Sequence, residues 1–120
     1  SGHSVVMDGP SDHGGHNLGV RPMEMILIGV GGCSSFDVID ILLKGRNDVI
    51  NCVCELSAER ADTIPSVFTK IHLHFVVSGR NLKSSVVERA INLSAEKYCS
   101  ASIMLGKVVE ISHDFEIIEV

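Results

Sequence analysis

Residues 21–43 read RPMEMILIGVGGCSSFDVIDILL and form the longest apolar segment of the chain. Pro22 indicates a helix start, because proline is tolerated at the first helical position. At about 100° per residue, apolar side chains occupy every side of this helix, and Cys33 lies in its middle. A helix that is apolar all round is typical of burial on all sides. We therefore predict a buried core helix from about Pro22 to Lys44.

Two carboxylates share the side of this helix that carries Cys33. Asp40 lies within about 20° of the cysteine and Asp37 about 40° away, at the same angle per residue. A nearby carboxylate raises the pKa of a thiol through repulsion between like charges. Capping or pairing of a nearby turn is the alternative role for both acids.

The glycines at positions 29, 31 and 32 predict that another backbone or a partner helix approaches closely beside Cys33. Each glycine destabilises a helix by about 1 kcal/mol relative to alanine, and close packing against a neighbouring element would offset this cost. A single small sheet covers one side of an apolar helix. We therefore expect an obligate homodimer that buries more than about 2,000 Å².

Length and charge limit the possible functions. The 120 residues suffice for one domain, residues 1–120, with one core. The net charge is −5 and the basic residues are scattered, which argues against nucleic-acid binding. The apolar run is too short and too rich in glycine for a membrane span of roughly 20 residues. We see no signal peptide, because the N-terminus, Ser1-Gly2-His3, is polar and rich in glycine.

The rest of the chain predicts an α+β fold with an antiparallel sheet. Strands are expected at 4–7, 49–59, 68–78 and 108–120, and 8–19 reads as a mobile loop. A capping box at Ser85–Glu88 predicts the start of a second helix that reaches residue 100. A short helix is expected at 101–105.

The cysteines supply the candidate chemistry. Cys33, Cys52, Cys54 and Cys99 follow neither a zinc pattern nor a secreted disulfide framework, which favours cytosolic thiols. A helix junction at Cys99 can lower a thiol pKa. However, a lone cysteine on an apolar helix is more often a small core residue. Cys52 and Cys54 share one face of a strand, and we interpret them as structural.

The histidines add little to this picture. His72 and His74 point the same way from one strand, so they can bind a metal or simply face solvent. His3, His13 and His16 lie near the N-terminus and are interpreted as incidental.

Three motifs resemble the OsmC/Ohr family of bacterial proteins, in its YhfA-like subgroup. They are RPMEM…GGCSSFDV (21–38), VFTKIHLHFVVSG (67–79) and VERAINLSAEKYCSASIML (87–105). The resemblance runs from about residue 4 to the C-terminus. It implies an intertwined homodimer in which two long central helices pack inside and sheets from both chains lie outside.

The resemblance also implies a function, a thiol-dependent peroxidase that reduces organic hydroperoxides in the oxidative stress response. Cys33 would be the peroxidatic nucleophile and Cys99 the resolving thiol. Arg21 would be the candidate activator. Peroxidase members carry an acidic residue directly after the helix-starting proline, where this chain has Met23 followed by Glu24.

The resemblance implies no cofactor or metal, and a dithiol reductant would regenerate the cysteine pair in the cytoplasm. The partners expected are therefore a second copy of the chain, an organic hydroperoxide and that reductant, without nucleic acid or membrane. A non-catalytic dimer that binds an apolar small ligand in the same pocket is the alternative function. The shifted acidic residue favours this alternative, and the presence of both cysteines favours the enzyme.

Overall fold

A computed structural model describes residues 1–120, and its longest element is the predicted helix. The elements are α1 (Pro22–Lys44), β1 (Asp48–Arg60), β2 (Phe68–Arg80), α2 (Ser84–Leu93), α3 (Ser100–Leu105) and β3 (Glu110–Glu119). A 3₁₀ turn at Ser11–His13 precedes α1, and a π-helical turn at Ser94–Tyr98 separates α2 from α3. The bounds of α1 agree with the prediction. The fold is a mixture of helices and one three-stranded sheet, as the α+β interpretation requires.

The sheet is mixed, so the prediction of a wholly antiparallel sheet was wrong. Its strand order is β1-β2-β3, with β1 antiparallel to β2 and β3 parallel to β2. The physical reason is the connection: the helical segment between β2 and β3 returns the chain to the end of the sheet where β2 began. Parallel neighbours need such a crossover. The strand predicted at 4–7 is also wrong, since only an isolated bridge joins Met7 to Val20.

The second helix begins differently from the prediction. Lys83 is its N-cap residue and makes no side-chain capping bond, so the capping box predicted at Ser85–Glu88 does not form. The helix also stops at Leu93, well before residue 100. After the π-helical turn, Cys99 has an extended backbone and caps the N-terminus of α3. Cys99 therefore lies at a break between helices.

The core lies between the sheet and the helices. On β2 one face is buried and the other is half-buried or exposed, as the alternation of residues predicts. Helix α1 packs against β1, α2 and α3. The buried apolar side chains are Val30, Val38, Leu42, Phe68, Ile71, Leu73, Phe75, Val77, Val87, Ala90, Ile91 and Val109.

Helix α1 is not buried on all sides by its own chain, contrary to the prediction. Phe36 is 73% exposed, and Ile26, Ile28 and Leu43 are also exposed. These four residues define the outer face of α1. Contrary to the prediction, this helix is long and apolar enough to pass as a membrane span by length and composition, although a core helix of a soluble protein passes the same test.

Only one of the glycines in α1 meets a neighbouring element. A Cβ at Gly31 would lie 2.6 Å from Cδ1 of Leu56 on β1, whereas Gly29 and Gly32 have open space beside them. The close approach therefore occurs at Gly31 and involves the sheet. Gly29 and Gly32 contact no other element of their own chain, so the approach of a partner helix beside Cys33 stays a prediction.

Candidate active site

The structure brings Cys33 and Cys99 together although they lie far apart in the chain: Ser34, the neighbour of Cys33, is 65 positions before Cys99 and contacts its sulfur. The two Sγ atoms and a carboxylate oxygen of Asp37 all lie within 4.8 Å of one another. Both cysteines are free thiols. Cys33 is partly exposed, whereas Cys99 is fully buried. The site thus consists of an accessible thiol with a second thiol directly behind it.

The break before α3 fixes the position of Cys99. Because Cys99 caps this helix, its Sγ accepts a hydrogen bond from the backbone N–H of Ser102 at 3.4 Å. On the other side, Oγ of the buried Ser34 lies 3.2 Å from the same sulfur. Ser34 follows Cys33 on α1, so one turn of this helix contacts Cys99 twice.

The environments of the two sulfurs shift their pKa values in opposite directions. The largest influence on Cys33 is a hydrogen bond from the backbone N–H of Ala101, which lowers its pKa. Burial, the neighbouring Cys99 and the charge of Asp37 outweigh this bond, so the pKa of Cys33 is raised. The repulsion predicted from Asp37 therefore acts in the expected direction.

For Cys99 the balance is reversed. Burial is the largest influence and raises the pKa, but hydrogen bonds from Ser102, Ser34 and Cys33 together lower it below its usual value. Stabilisation of a thiolate at the N-terminus of a helix is a general effect. The buried sulfur is consequently the more acidic member of the pair.

Asp37 connects this pair to an open depression on the surface. Its Oδ2 accepts a hydrogen bond from Oγ of Ser94 at 3.2 Å. The depression has a volume of about 360 Å³ and combines apolar walls with a charged rim. The rim contains an ion pair between Lys44 and Asp40 at 2.8 Å. The apolar lining residues are Ile41, Leu93 and Tyr98.

Arg21 and Glu24 lie at the start of α1 and not beside the thiols of their own chain. The backbone N–H of Arg21 donates to Oε1 of Glu24 at 2.8 Å, which caps the helix. The guanidinium of Arg21 donates to the carbonyl of Gly19 at 3.1 Å. At 1.5 Å per residue, the twelve residues from Arg21 to Cys33 span about 18 Å. Within one chain, neither residue reaches the pair.

The other two cysteines, Cys52 and Cys54, are the strand cysteines. Both are partly buried on β1 and pack against the core. Burial raises the pKa of Cys52, and it raises the pKa of Cys54 to about 12. A thiol with a raised pKa forms little of the reactive thiolate at neutral pH.

His72 and His74 lie on the opposite face of the sheet from α1. Each ring places one nitrogen 2.8 Å from the same Oδ1 of Asp114, and the other ring nitrogen of His72 lies 2.7 Å from Oγ of Ser112. The hydrogen bond with Asp114 raises the pKa of His74. This cluster is separate from the thiols.

Sequence reasoning missed the serines that hold the site. Ser34, Ser94 and Ser102 are buried and hydrogen-bond to Cys99 or Asp37. Serine occurs both in cores and on surfaces, so hydropathy patterns do not single it out. The position of Ser34 directly after Cys33 was the one available signal, since Ser94 and Ser102 lie five and three residues away from Cys99.

Comparisons with known proteins identify the family. The family model described as OsmC-like protein matches residues 14–114. The chain therefore belongs to the OsmC-like family.

Within that family, the chain is 50% identical over 118 residues to the protein YhfA of Escherichia coli K12, covering 98% of this chain and 85% of YhfA. The fold is similar to that of an OsmC-like protein from Mycoplasma pneumoniae, with a TM-score of 0.82 and 13% identity over 98% of this chain and 84% of the other. It is also similar to an organic hydroperoxide resistance protein OsmC from Legionella pneumophila. That match has a TM-score of 0.71 and 15% identity over 91% of this chain and 78% of the other.

Proposed function

We propose that this chain is a single OsmC-like domain that acts in the cytoplasm as a thiol-dependent peroxidase for organic hydroperoxides. The observation that carries the proposal is the partly exposed Cys33 with the buried Cys99 thiol within 4.8 Å. An approaching peroxide reaches Cys33 first. A thiol directly behind it is in the position needed to resolve the oxidised product.

The chemistry proceeds in two balanced steps. Cys33, as its thiolate, attacks the outer oxygen of ROOH, the O–O bond breaks, and the alkoxide leaves and takes up a proton as ROH. The sulfenic acid on Cys33 then reacts with the thiol of Cys99, so that an S–S bond forms and water leaves. An external dithiol reduces this bond and is itself oxidised to a disulfide.

Formation of the Cys33 thiolate is the step that needs assistance. Cys99 is the more acidic of the two neighbouring thiols, so the shared proton rests on Cys33, and a nearby cation would be needed to stabilise the Cys33 thiolate. To form the disulfide, the two sulfur atoms, which now lie no more than 4.8 Å apart, must come to the S–S bond length of about 2.05 Å. Rotation of the partly exposed Cys33 side chain provides such a movement without displacement of the buried Cys99.

The shape of the neighbouring surface favours an organic substrate. The depression beside Asp37 has apolar walls formed by Ile41, Leu93 and Tyr98. An alkyl or aryl group packed there gains about 25 cal/mol for each Å² of apolar surface removed from water. Hydrogen peroxide has no such group, so we expect organic hydroperoxides to react faster.

A homodimer is part of the proposal. The outer face of α1 leaves Phe36 and three further large apolar side chains uncovered, and Gly29 and Gly32 add an open strip beside them. Patches of this kind mark interaction sites. Arg21 and Arg60 of the same chain are bonded to backbone carbonyls elsewhere. An arginine from the second copy would then supply the activating cation.

Steady-state turnover of cumene hydroperoxide with a dithiol reductant tests the proposal. Cys33→Ser is expected to consume no peroxide. Cys99→Ser is expected to consume one equivalent and then stall as Cys33 passes to sulfinic acid. The matched control replaces both strand cysteines with serine and is expected to keep turnover within a few-fold. Turnover in Cys33→Ser would contradict the assignment.

A non-catalytic dimer that binds an apolar ligand is the second candidate. The raised pKa of Cys33 favours it, because a thiol held protonated is a poor nucleophile. This candidate predicts that an apolar fluorescent probe binds equally to wild type and Cys33→Ser, and that neither consumes peroxide.

A further inference from the structure

Three possible metal-ligand atoms meet at the thiol pair. Two sulfurs and a carboxylate oxygen, from Cys33, Cys99 and Asp37, lie within 4.8 Å of one another. We propose that these residues form a binding site for a thiophilic divalent ion of the Zn²⁺ class. That the bound ion inhibits peroxide reduction rests, in addition, on the proposed function.

The dimensions fit such an ion after a small contraction. Zn–S bonds of about 2.3 Å and a tetrahedral angle place two sulfur ligands roughly 3.8 Å apart, and Zn–O bonds of about 2.0–2.2 Å place an oxygen slightly closer. The ligand atoms lie at most 4.8 Å apart, which is about 1 Å more than the separation that a bound Zn²⁺ requires of its two sulfur ligands. Three protein ligands leave the fourth tetrahedral position open for water.

Neighbouring groups already orient the ligands. Cys99 Sγ is held by Ser34 and by the N–H of Ser102, and Asp37 is held by Ser94. Hydrogen bonds of this kind to first ligands usually tune metal affinity by 10–100-fold. Because these hydrogen bonds already hold the side chains of Cys99 and Asp37, binding of the metal ion would cost less side-chain entropy.

The donor set determines which ions bind. Two thiolates select Zn²⁺, Co²⁺ or Cd²⁺ over Mg²⁺ and Ca²⁺, which prefer oxygen donors. The cluster of His72, His74 and Asp114 is a weaker candidate because the two imidazoles already share one carboxylate oxygen through hydrogen bonds. The thiol pair is therefore the better site.

Metal binding and peroxide reduction would exclude each other. A thiolate lone pair of Cys33 that binds the ion is no longer available to attack the O–O bond. Conversely, a disulfide between Cys33 and Cys99 removes both sulfur ligands. The ion would thus block the reduced chain reversibly and would not bind the oxidised chain.

Titration of the fully reduced full-length chain with Co²⁺ tests the site, because Co²⁺ reports thiolate ligands and tetrahedral geometry by absorption. We expect one ion per chain with thiolate charge-transfer bands. Asp37→Asn should bind at least about tenfold more weakly. Cys33→Ser, and wild type alkylated at Cys33, should lose these bands; alkylation serves if the variant fails to fold. Asp40→Asn, which alters a carboxylate on the same helix, and serine at both strand cysteines are the matched controls and should bind normally.

Several results would overturn the site: absence of the bands from wild type, their loss with the strand cysteines, or equal binding by Asp37→Asn and wild type. The same samples separate the two proposals. A chain that binds Co²⁺ but consumes no peroxide refutes the proposed function alone. A chain that consumes peroxide but binds no Co²⁺ refutes the metal site alone. If both hold, Zn²⁺ should slow turnover and a chelator should restore it.

Discussion

Replacement of Phe36 by alanine should weaken the proposed dimer strongly. Phe36 is the most exposed large apolar side chain of α1, at 73%. A phenylalanine offers about 150–250 Å² for burial, so about 110–180 Å² of this one is uncovered. At 25 cal/mol per Å², complete burial would contribute about 3–4.5 kcal/mol per chain.

The effect should double in a dimer with twofold symmetry, because each copy presents the same surface. Alanine retains part of the contact, so we take the usual truncation loss of about 1.5–3 kcal/mol per chain. The dimer then loses about 3–6 kcal/mol, which raises its dissociation constant by about 10²–10⁴. Sedimentation equilibrium across a range of concentrations measures this constant.

Ile64→Ala is the matched control. Ile64 is fully exposed in the loop between β1 and β2, away from α1, and its truncation should leave the dissociation constant unchanged. Thermal unfolding of both variants checks that they fold. A wild-type chain that is monomeric at micromolar concentration would refute the reasoning. An unchanged dissociation constant for Phe36→Ala would refute the use of this face.

Three further results are expected. Asp37→Asn removes a negative charge that raises the pKa of Cys33, so the Cys33 thiolate should form at lower pH. The acidic limb of the pH–rate profile for peroxide reduction should therefore move to lower pH, and an unmoved limb would contradict this effect of Asp37. Serine at both strand cysteines should leave the rate of labelling by iodoacetamide at neutral pH nearly unchanged, because burial keeps them protonated; a large fall would show that they are reactive. Asp114→Asn should lower the pKa of His74 towards its ordinary value in an NMR titration, and an unchanged pKa would exclude their hydrogen bond.

Periodicity was sufficient to predict the long elements. The bounds of α1 and the positions of β1 and β2 follow from runs of apolar residues, because each element must bury one face. The direction of β3 needed a further step. A parallel pair needs a crossover connection, but the connection between β2 and β3 holds more than one helix, and such a connection can return the chain to either end of the sheet. Periodicity therefore did not determine the direction of β3.

The site was only partly predictable. The cysteine pair was identified through the family resemblance, and the helix junction at Cys99 was predicted correctly. The early end of α2 at Leu93 and the π-helical turn that follows it were not indicated by any local pattern. Likewise Gly29, Gly31 and Gly32 look alike in sequence, and only the packing of β1 distinguishes Gly31 from the others. Contacts between distant segments decide both features.

The most direct test of the central claim is the state of the thiols after one equivalent of cumene hydroperoxide. The reduced chain is treated without reductant, remaining thiols are blocked, and disulfides are located by peptide mapping. We predict one disulfide between Cys33 and Cys99, with the strand cysteines free. If both thiols of the site remain free after prolonged exposure, or if the bond involves a strand cysteine, the account of a Cys33–Cys99 peroxidase is wrong.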